Sequence, residues 1–263
     1  MITIKFSELL KLLLVVENYG QAEVLGVTSN CALVEPGYVF VAICGARFDG
    51  HSFIDEAIQR GAVALVVSKP MDLSLNVAWI QVPDTRVALP IVADAVHGSP
   101  SRMLRMIGIT GTNGKTTVAY LVKSILTEAK QRAALIGTIQ IEIGDEIQIS
   151  KNTTPESYEI QELLGKMVVE KNTHCVMEVS SHALALHRVD KIEFDTVVFT
   201  NLSQDHLDMH NTMEEYFAVK ATLFTSLGKD SAKANKTMVI NIDDPWGLEL
   251  ASKFNRGVLT VGI

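Results

Sequence analysis

Short apolar runs alternate with longer amphipathic segments along nearly the whole chain. Tyr38-Val-Phe-Val-Ala-Ile43 and Ala62-Val-Ala-Leu-Val-Val67 read as strands. Between them a polar turn, residues 45–50, leads to Ser52–Arg60. That segment reads as a helix with Ile54, Ala57 and Ile58 on one face and Gly61 at its end, completing a βαβ unit. Upstream, Leu9–Val16 is apolar but short, carries Lys11 and runs into Glu17. It is too brief to span a bilayer, lacks a small-residue cleavage site, and reads as an N-terminal helix. Thr85–Val96 has helical spacing and ends in the breaker cluster Gly98-Ser-Pro-Ser101, which places a domain boundary between residues 1–100 and 101–263.

Past that boundary the alternation continues. Leu104–Ile109 reads as a buried strand, and Thr117–Leu126 as a helix. Ala133–Ile136 is a further strand, and Ile139–Ile143 with Glu146–Ile149 predicts a hairpin turning at Gly144-Asp145. Residues 156–170 are helical, and Thr173–Glu178, Thr196–Thr200, Thr237–Asn241 and Gly257–Val261 are strands. Strands separated by helices imply an α/β fold with a mostly parallel sheet, whose ligands bind at the carboxyl ends of the strands.

Composition narrows the class. The chain has 263 residues, 48% of them hydrophobic, enough for about two domain cores. A net charge of −7 without a long basic run argues against a nucleic-acid partner. Cys31, Cys44 and Cys175 are odd in number and widely spaced, which supports neither a disulfide framework nor a zinc site and suits a reducing, cytoplasmic setting.

The chemistry concentrates at strand ends. Gly111-Thr-Asn-Gly-Lys-Thr-Thr117 lies between a strand and a helix, where unpaired N–H groups and the helix dipole favour a phosphate. Gly111 and Gly114 allow close approach, Lys115 supplies a cation, and Thr116 offers a hydroxyl to Mg²⁺; Thr112, Asn113 and Thr117 complete the candidate nucleotide loop. Ile109 stands where the strict pattern has glycine, so this is a variant loop. Glu178 ends an apolar strand and is either a Mg²⁺ ligand or a solvated acid. Asn201–His210 gathers two aspartates and two histidines, as a metal site or a surface turn. On the helix Met213–Leu227, Lys220 falls within an apolar stripe of Met213, Phe217, Phe224 and Leu227. It is either a desolvated amine of lowered pKa, able to take up CO₂ as a carbamate, or a snorkelling side chain. Asp243 and Asp244 either meet the nucleotide or cap the helix that starts near Pro245.

These motifs resemble, in order and over the whole chain, the Mur ligases. The set is residues 108–117, Asn152-Thr-Thr-Pro-Glu156, Glu178-Val-Ser-Ser-His-Ala-Leu184, Asp205-His-Leu-Asp-Met-His210, Tyr216-Phe-Ala-Val-Lys220 and Asn241-Ile-Asp-Asp244, with Asp49-Gly-His-Ser-Phe-Ile-Asp-Glu-Ala-Ile58 near the start. They look like the MurE type, which extend UDP-N-acetylmuramoyl-L-alanyl-D-glutamate with a diamino acid in peptidoglycan synthesis, the pathway of cell-wall biogenesis, cell shape and division. The resemblance implies a small N-terminal α/β domain that binds the UDP precursor and a phosphate-loop ATPase-like domain, the chain stopping before a C-terminal domain. It implies ATP and Mg²⁺ as cofactors, with Lys115, His206 and carbamylated Lys220 in catalysis. Thr116, Glu178, His206 and Lys220 would hold metal, and Ser29, Asn152, Thr153, Thr154, Ser180 and Arg188 the UDP-linked dipeptide. A cytoplasmic monomer without membrane attachment is expected, and a partial chain of this length is expected to ligate weakly or not at all. Asn30-Cys-Ala32 departs from the family's Asp-Ser-Arg, and Leu186 from a glutamine seen in some members. The alternatives are a catalytically inactive nucleotide-binding remnant and a related Mur or folylpolyglutamate-type ligase.

Overall fold

The computed structural model describes residues 3–45, 48–71, 77–205, 210–227, 233–234 and 236–262. The chain divides into two compact units, Met1–Ser99 with Ser157–Glu162, and Pro100–Glu156 with Leu163–Ile263.

The first unit contains β1 (Ile4–Lys5), α1 (Phe6–Leu12), β2 (Glu17–Tyr19), β3 (Glu23–Val24), β4 (Gly26–Thr28), β5 (Tyr38–Val41), α2 (Ile54–Gln59), β6 (Ala64–Val67), β7 (Ala78–Gln81) and α3 (Thr85–Val96). Its main sheet runs β2-β7-β6-β5-β4, with β4 to β7 parallel and β2 antiparallel at the edge. Both faces of this sheet are covered at its centre, so β5 and β6 read as continuous apolar runs rather than alternating, while the edge strand β2 (Glu17–Tyr19) is exposed throughout. Val39, Val41 and Val66 pack with Phe6, Leu9, Leu89 and Val92 on one side. Phe40, Leu65, Val67 and Trp79 pack with Ile54 and Ala57 on the other.

The N-terminal helix differs from the sequence expectation. It spans Phe6–Leu12, not Leu9–Val16. Leu13 turns extended, and the Val16 N–H bonds the Gln81 carbonyl at 2.8 Å as the chain enters β2. β-Branched Val15 and Val16 favour that extended path, and pairing with β7 outweighs continued helix.

The second unit contains β8 (Arg105–Thr110), α4 (Lys115–Glu128), β9 (Ala133–Ile136), β10 (Gln140–Ile143), β11 (Glu146–Ile149), α5 (Ser157–Val169, its opening residues 157–162 grouping with the first unit), β12 (His174–Glu178), α6 (Ser181–Ala185), β13 (Thr196–Phe199), α7 (Met213–Thr225), β14 (Thr237–Asn241), α8 (Pro245–Ser252) and β15 (Val258–Val261). The sheet order is β11-β10-β9-β12-β8-β13-β14-β15. From β9 to β15 every pairing is parallel, and β10–β11 is the expected antiparallel hairpin. α4 covers one face through Ala119, which packs on Ile109, Leu135 and Val176. The parallel strands therefore deliver Thr110, Ile136, Glu178 and Phe199 to one edge of the sheet, and the loops that follow them build the site.

Candidate functional site: a strand-end pocket around the glycine loop

β8 ends at Thr110 and α4 starts at Lys115, so the intervening loop presents the open N-terminus of a long helix. Gly111 sits at φ +144°, and a Cβ there would lie 2.0 Å from Thr200 Oγ1. Only glycine fits. The loop is then fastened to the end of β13. Asn113 N–H donates to Asn201 Oδ1 at 3.0 Å, and Asn201 Nδ2 and Thr200 Oγ1 both donate to the Asn113 carbonyl, at 3.1 and 2.7 Å. Thr112 Oγ1 donates to the Ser203 carbonyl and accepts from the Ser203 N–H at 3.0 Å. Thr117 lies exposed on the first turn of α4.

Glu178 is fully buried, so the alternative of a solvated strand-end acid does not hold. Its carboxylate accepts from Thr116 Oγ1 at 2.8 Å, from the Thr138 N–H at 2.9 Å and from Thr138 Oγ1 at 3.0 Å. Gly137 makes room for it, since a Cβ there would stand 2.6 Å from Glu178 Oε1. These three donors are neutral. A wholly buried carboxylate beside an unshared hydroxyl oxygen, with no ion pair of its own among the described residues, has the donor set and the charge that suit a hard divalent cation.

Lys220 settles the other open alternative: it does not snorkel. Its side chain is 1% exposed, and Nζ donates to the Gly111 carbonyl at 3.1 Å. Lys115 Nζ donates to the same carbonyl at 2.9 Å and to that of Thr112 at 2.7 Å. Burial first, and then the neighbouring Lys115, push the Lys220 amine down to about 7, while Asp205 acts the other way. Burial also lowers Lys115, with Glu178 and Asp205 opposing. Tyr216 completes the packing. Lys220 Nζ lies 4.6 Å from its ring centroid, the His210 ring stacks on it at 5.0 Å, and its hydroxyl is 3.3 Å from Thr112 Oγ1. His182 meets His210 edge-on at 6.3 Å.

The loop Asn152–Thr154 joins this pocket from the side of β12. Thr154 Oγ1 donates to the Glu178 carbonyl at 2.9 Å and accepts from the Ser180 N–H at 3.1 Å. Thr153 Oγ1 lies 3.2 Å from Thr138 Oγ1. Arg188 donates to the Thr154 carbonyl at 2.9 Å and pairs with Glu156 at 2.5 Å. Ser180 caps α6 through the Ala183 N–H, and Asn152 is exposed. Ser29 belongs to the first unit, just beyond β4. His206 lies outside the described residues. Asp244 caps α8, accepting from Trp246 and Gly247 N–H groups at 2.9 and 3.3 Å.

Thr138 and Thr200 were not anticipated. Thr200 directly follows β13 and Thr138 comes two residues after β9, as Glu178 ends β12, and treating every strand end alike would have found both.

The structure carries no helix long and apolar enough to cross a membrane among its described residues. Comparison with known proteins matches the Mur ligase middle domain to residues 109–263 and the catalytic domain of the Mur ligase family to residues 23–99. Among curated relatives, the UDP-N-acetylmuramoyl-L-alanyl-D-glutamate–2,6-diaminopimelate ligase of Lactiplantibacillus plantarum is 46% identical over 243 residues, which is 92% of this chain and 49% of that protein. That of Listeria innocua is 42% identical over 262 residues, 98% of this chain and 53% of its own. A solved UDP-N-acetylmuramoyl-L-alanyl-D-glutamate–2,6-diaminopimelate ligase, 27% identical, superposes over 99% of this chain and 53% of its own with a TM-score of 0.79. MurF from Acinetobacter baumannii, 19% identical with a TM-score of 0.65 over 92% of this chain and 49% of its own, shares the fold. The chain spans about half the length of the relatives it matches. With family profiles covering the glycine loop, the buried glutamate, the inward lysine and the N-terminal unit, the chain belongs to the Mur ligase family.

Proposed function

We propose that this chain carries the ATP site and the UDP-precursor contacts of a ligase that joins a diamino acid to UDP-N-acetylmuramoyl-L-alanyl-D-glutamate. The relatives' names favour 2,6-diaminopimelate over lysine as the amine. One observation carries the reading: the Lys115 and Lys220 amines meet at the Gly111 carbonyl, on the loop that also holds Thr116 against Glu178.

In this reading the loop N–H groups and Lys115 bind the β- and γ-phosphates. The γ-phosphoryl group passes to the side-chain carboxylate of D-glutamate, giving an acyl phosphate and ADP. The incoming amine attacks the acyl carbon, the bond to the phosphate oxygen breaks, and the nitrogen sheds a proton as the amide forms. Thr116 and Glu178 would hold one Mg²⁺, and carbamylated Lys220 with His206 a second, supplying positive charge that would screen the oxyanions that must approach one another. An amine whose pKa is pushed down toward neutrality has a neutral fraction at pH 7, which can form an N–C bond with CO₂ and release a proton. The carbamate retains one N–H for the Gly111 carbonyl. Asn152, Thr153, Thr154, Ser180 and Arg188 contact the UDP-linked dipeptide, as does Ser29. The protein acts as a cytoplasmic monomer.

Calorimetry with three candidate acceptors tests the reading. The UDP-muramoyl dipeptide should bind more tightly than the UDP-muramoyl tripeptide or a folate; preference for either of the others would overturn it.

A further inference from the structure

Thr138 has one hydroxyl proton and two acceptors. Glu178 Oε2 lies 3.0 Å from its Oγ1 and Thr153 Oγ1 lies 3.2 Å away. Glu178 Oε2 already accepts from Thr116 Oγ1 at 2.8 Å, so that oxygen is crowded by two hydroxyl protons. On the far side, Thr153 belongs to the loop whose next residue, Thr154, is bonded to the Glu178 carbonyl at 2.9 Å. Glu178 and the loop are therefore tied together twice, once from the Thr154 hydroxyl to the Glu178 main-chain carbonyl and once from the Glu178 carboxylate through the Thr138 hydroxyl, which can point either way.

From this we infer that Thr138 is a positioning residue that couples cation binding at Glu178 to the order of the Asn152–Thr154 loop. A cation on Oε2 takes up a lone-pair direction that the Thr138 hydroxyl now uses. The displaced proton turns to Thr153 Oγ1, its remaining acceptor, and the loop gains a hydrogen bond when the metal arrives. Coupling of this kind is reciprocal: whatever removes the acceptor in the loop must weaken the metal. Thr138 is suited to the role because its own backbone N–H holds the other carboxylate oxygen at 2.9 Å, so the acid stays in place while the hydroxyl turns. The inference rests on the proposal that Thr116 and Glu178 hold the metal of a nucleotide complex, but not on the identity of the amine or of the UDP-linked acceptor.

The test is a double-mutant cycle read as Mg²⁺ affinity of the ADP complex by calorimetry. Among the described residues no hydrogen bond joins Thr153 to Glu178 directly; the two meet through the Thr138 hydroxyl, so an uncoupled site predicts no effect of Thr153→Val. Coupling predicts a loss of about fivefold or more. The same loss should appear in a Thr138→Ser background, which keeps the hydroxyl, and disappear in Thr138→Val, which keeps the backbone N–H but has no proton to turn. Unchanged Mg²⁺ affinity in Thr153→Val, or an equal loss in the Thr138→Val background, would overturn the inference. Should Thr138→Val not fold, the Thr153→Val result in wild-type and Thr138→Ser decides alone. Absence of any Mg²⁺-dependent ADP binding in the wild type would remove the metal site and this inference with it. Failure of the dipeptide to bind would leave Mg²⁺·ADP binding and the cycle intact.

Discussion

A lysine buried on an apolar helix stripe stands or falls with its partners. Lys220 has a carbonyl, an aromatic face and a second lysine around it. Its pKa falls from 10.5 to about 7, so the unfolded chain holds a proton there that the folded chain has released across that window. Stability from this group therefore rises with pH between about 7 and 10.5 and is constant below. Lys220→Met has no such group. In CO₂-depleted buffer the wild-type-minus-variant difference in unfolding free energy should climb by at most roughly 1.4 kcal/mol per pH unit across the window. Denaturation at a series of pH values checks this, and a flat difference would contradict the buried amine. Gly111→Ala should abolish nucleotide binding, because the added methyl collides with Thr200 and the φ of +144° disfavours any side chain. Calorimetry with ADP measures that loss; wild-type affinity would show that the loop has another shape. Both residues are legible in the sequence, one from its place on a stripe and one from a motif. Thr138 is not. Its importance depends on β9 lying beside β12, and a hairpin and α5 separate these strands in the chain.

At the scale of elements, the clearest case is Asp244, whose sequence reading left a nucleotide contact and a helix cap equally open. One carboxylate oxygen accepts the first N–H groups of α8, and the other accepts the Leu202 N–H at 2.9 Å, joining that helix to the loop after β13. Asp244→Ala should cost about 1–2 kcal/mol, the usual worth of a cap, seen as a lower thermal midpoint. No change would mean the loop holds itself. In the first unit, Cys44, Asp49 and His51 bring ligand-type atoms within 4.8 Å of one another, an arrangement that spacing did not reveal. His51 Nε2 accepts from the Ser68 N–H at 3.0 Å, so Nδ1 carries the proton and donates to Asp49 at 2.7 Å. That tautomer leaves Nδ1 no lone pair for a metal, and the cluster locks the turn to the end of β6 instead. Lys69 and these hydrogen bonds hold the Asp49 carboxyl below the usual range. The three cysteines are free thiols.

Across the whole molecule, helices and strands were largely readable because their periods are strong. The α3 helix, β9 and β11 fall where the pattern places them. Short strands such as β1 to β4 were not, because tertiary pairing rather than local pattern forms them. The order of strands in the larger sheet was likewise unreadable, and that order is what gathers the loop after β8, Thr138 after β9, Glu178 on β12 and Thr200 after β13 at one edge. The central claim is that this edge forms a single magnesium–nucleotide pocket with Glu178 at its base. ADP titrations with and without Mg²⁺, in the wild type and in Glu178→Gln, test it most directly. Mg²⁺ should tighten ADP binding by about tenfold or more in the wild type and by little in the variant; an equal Mg²⁺ effect in both proteins would contradict the account.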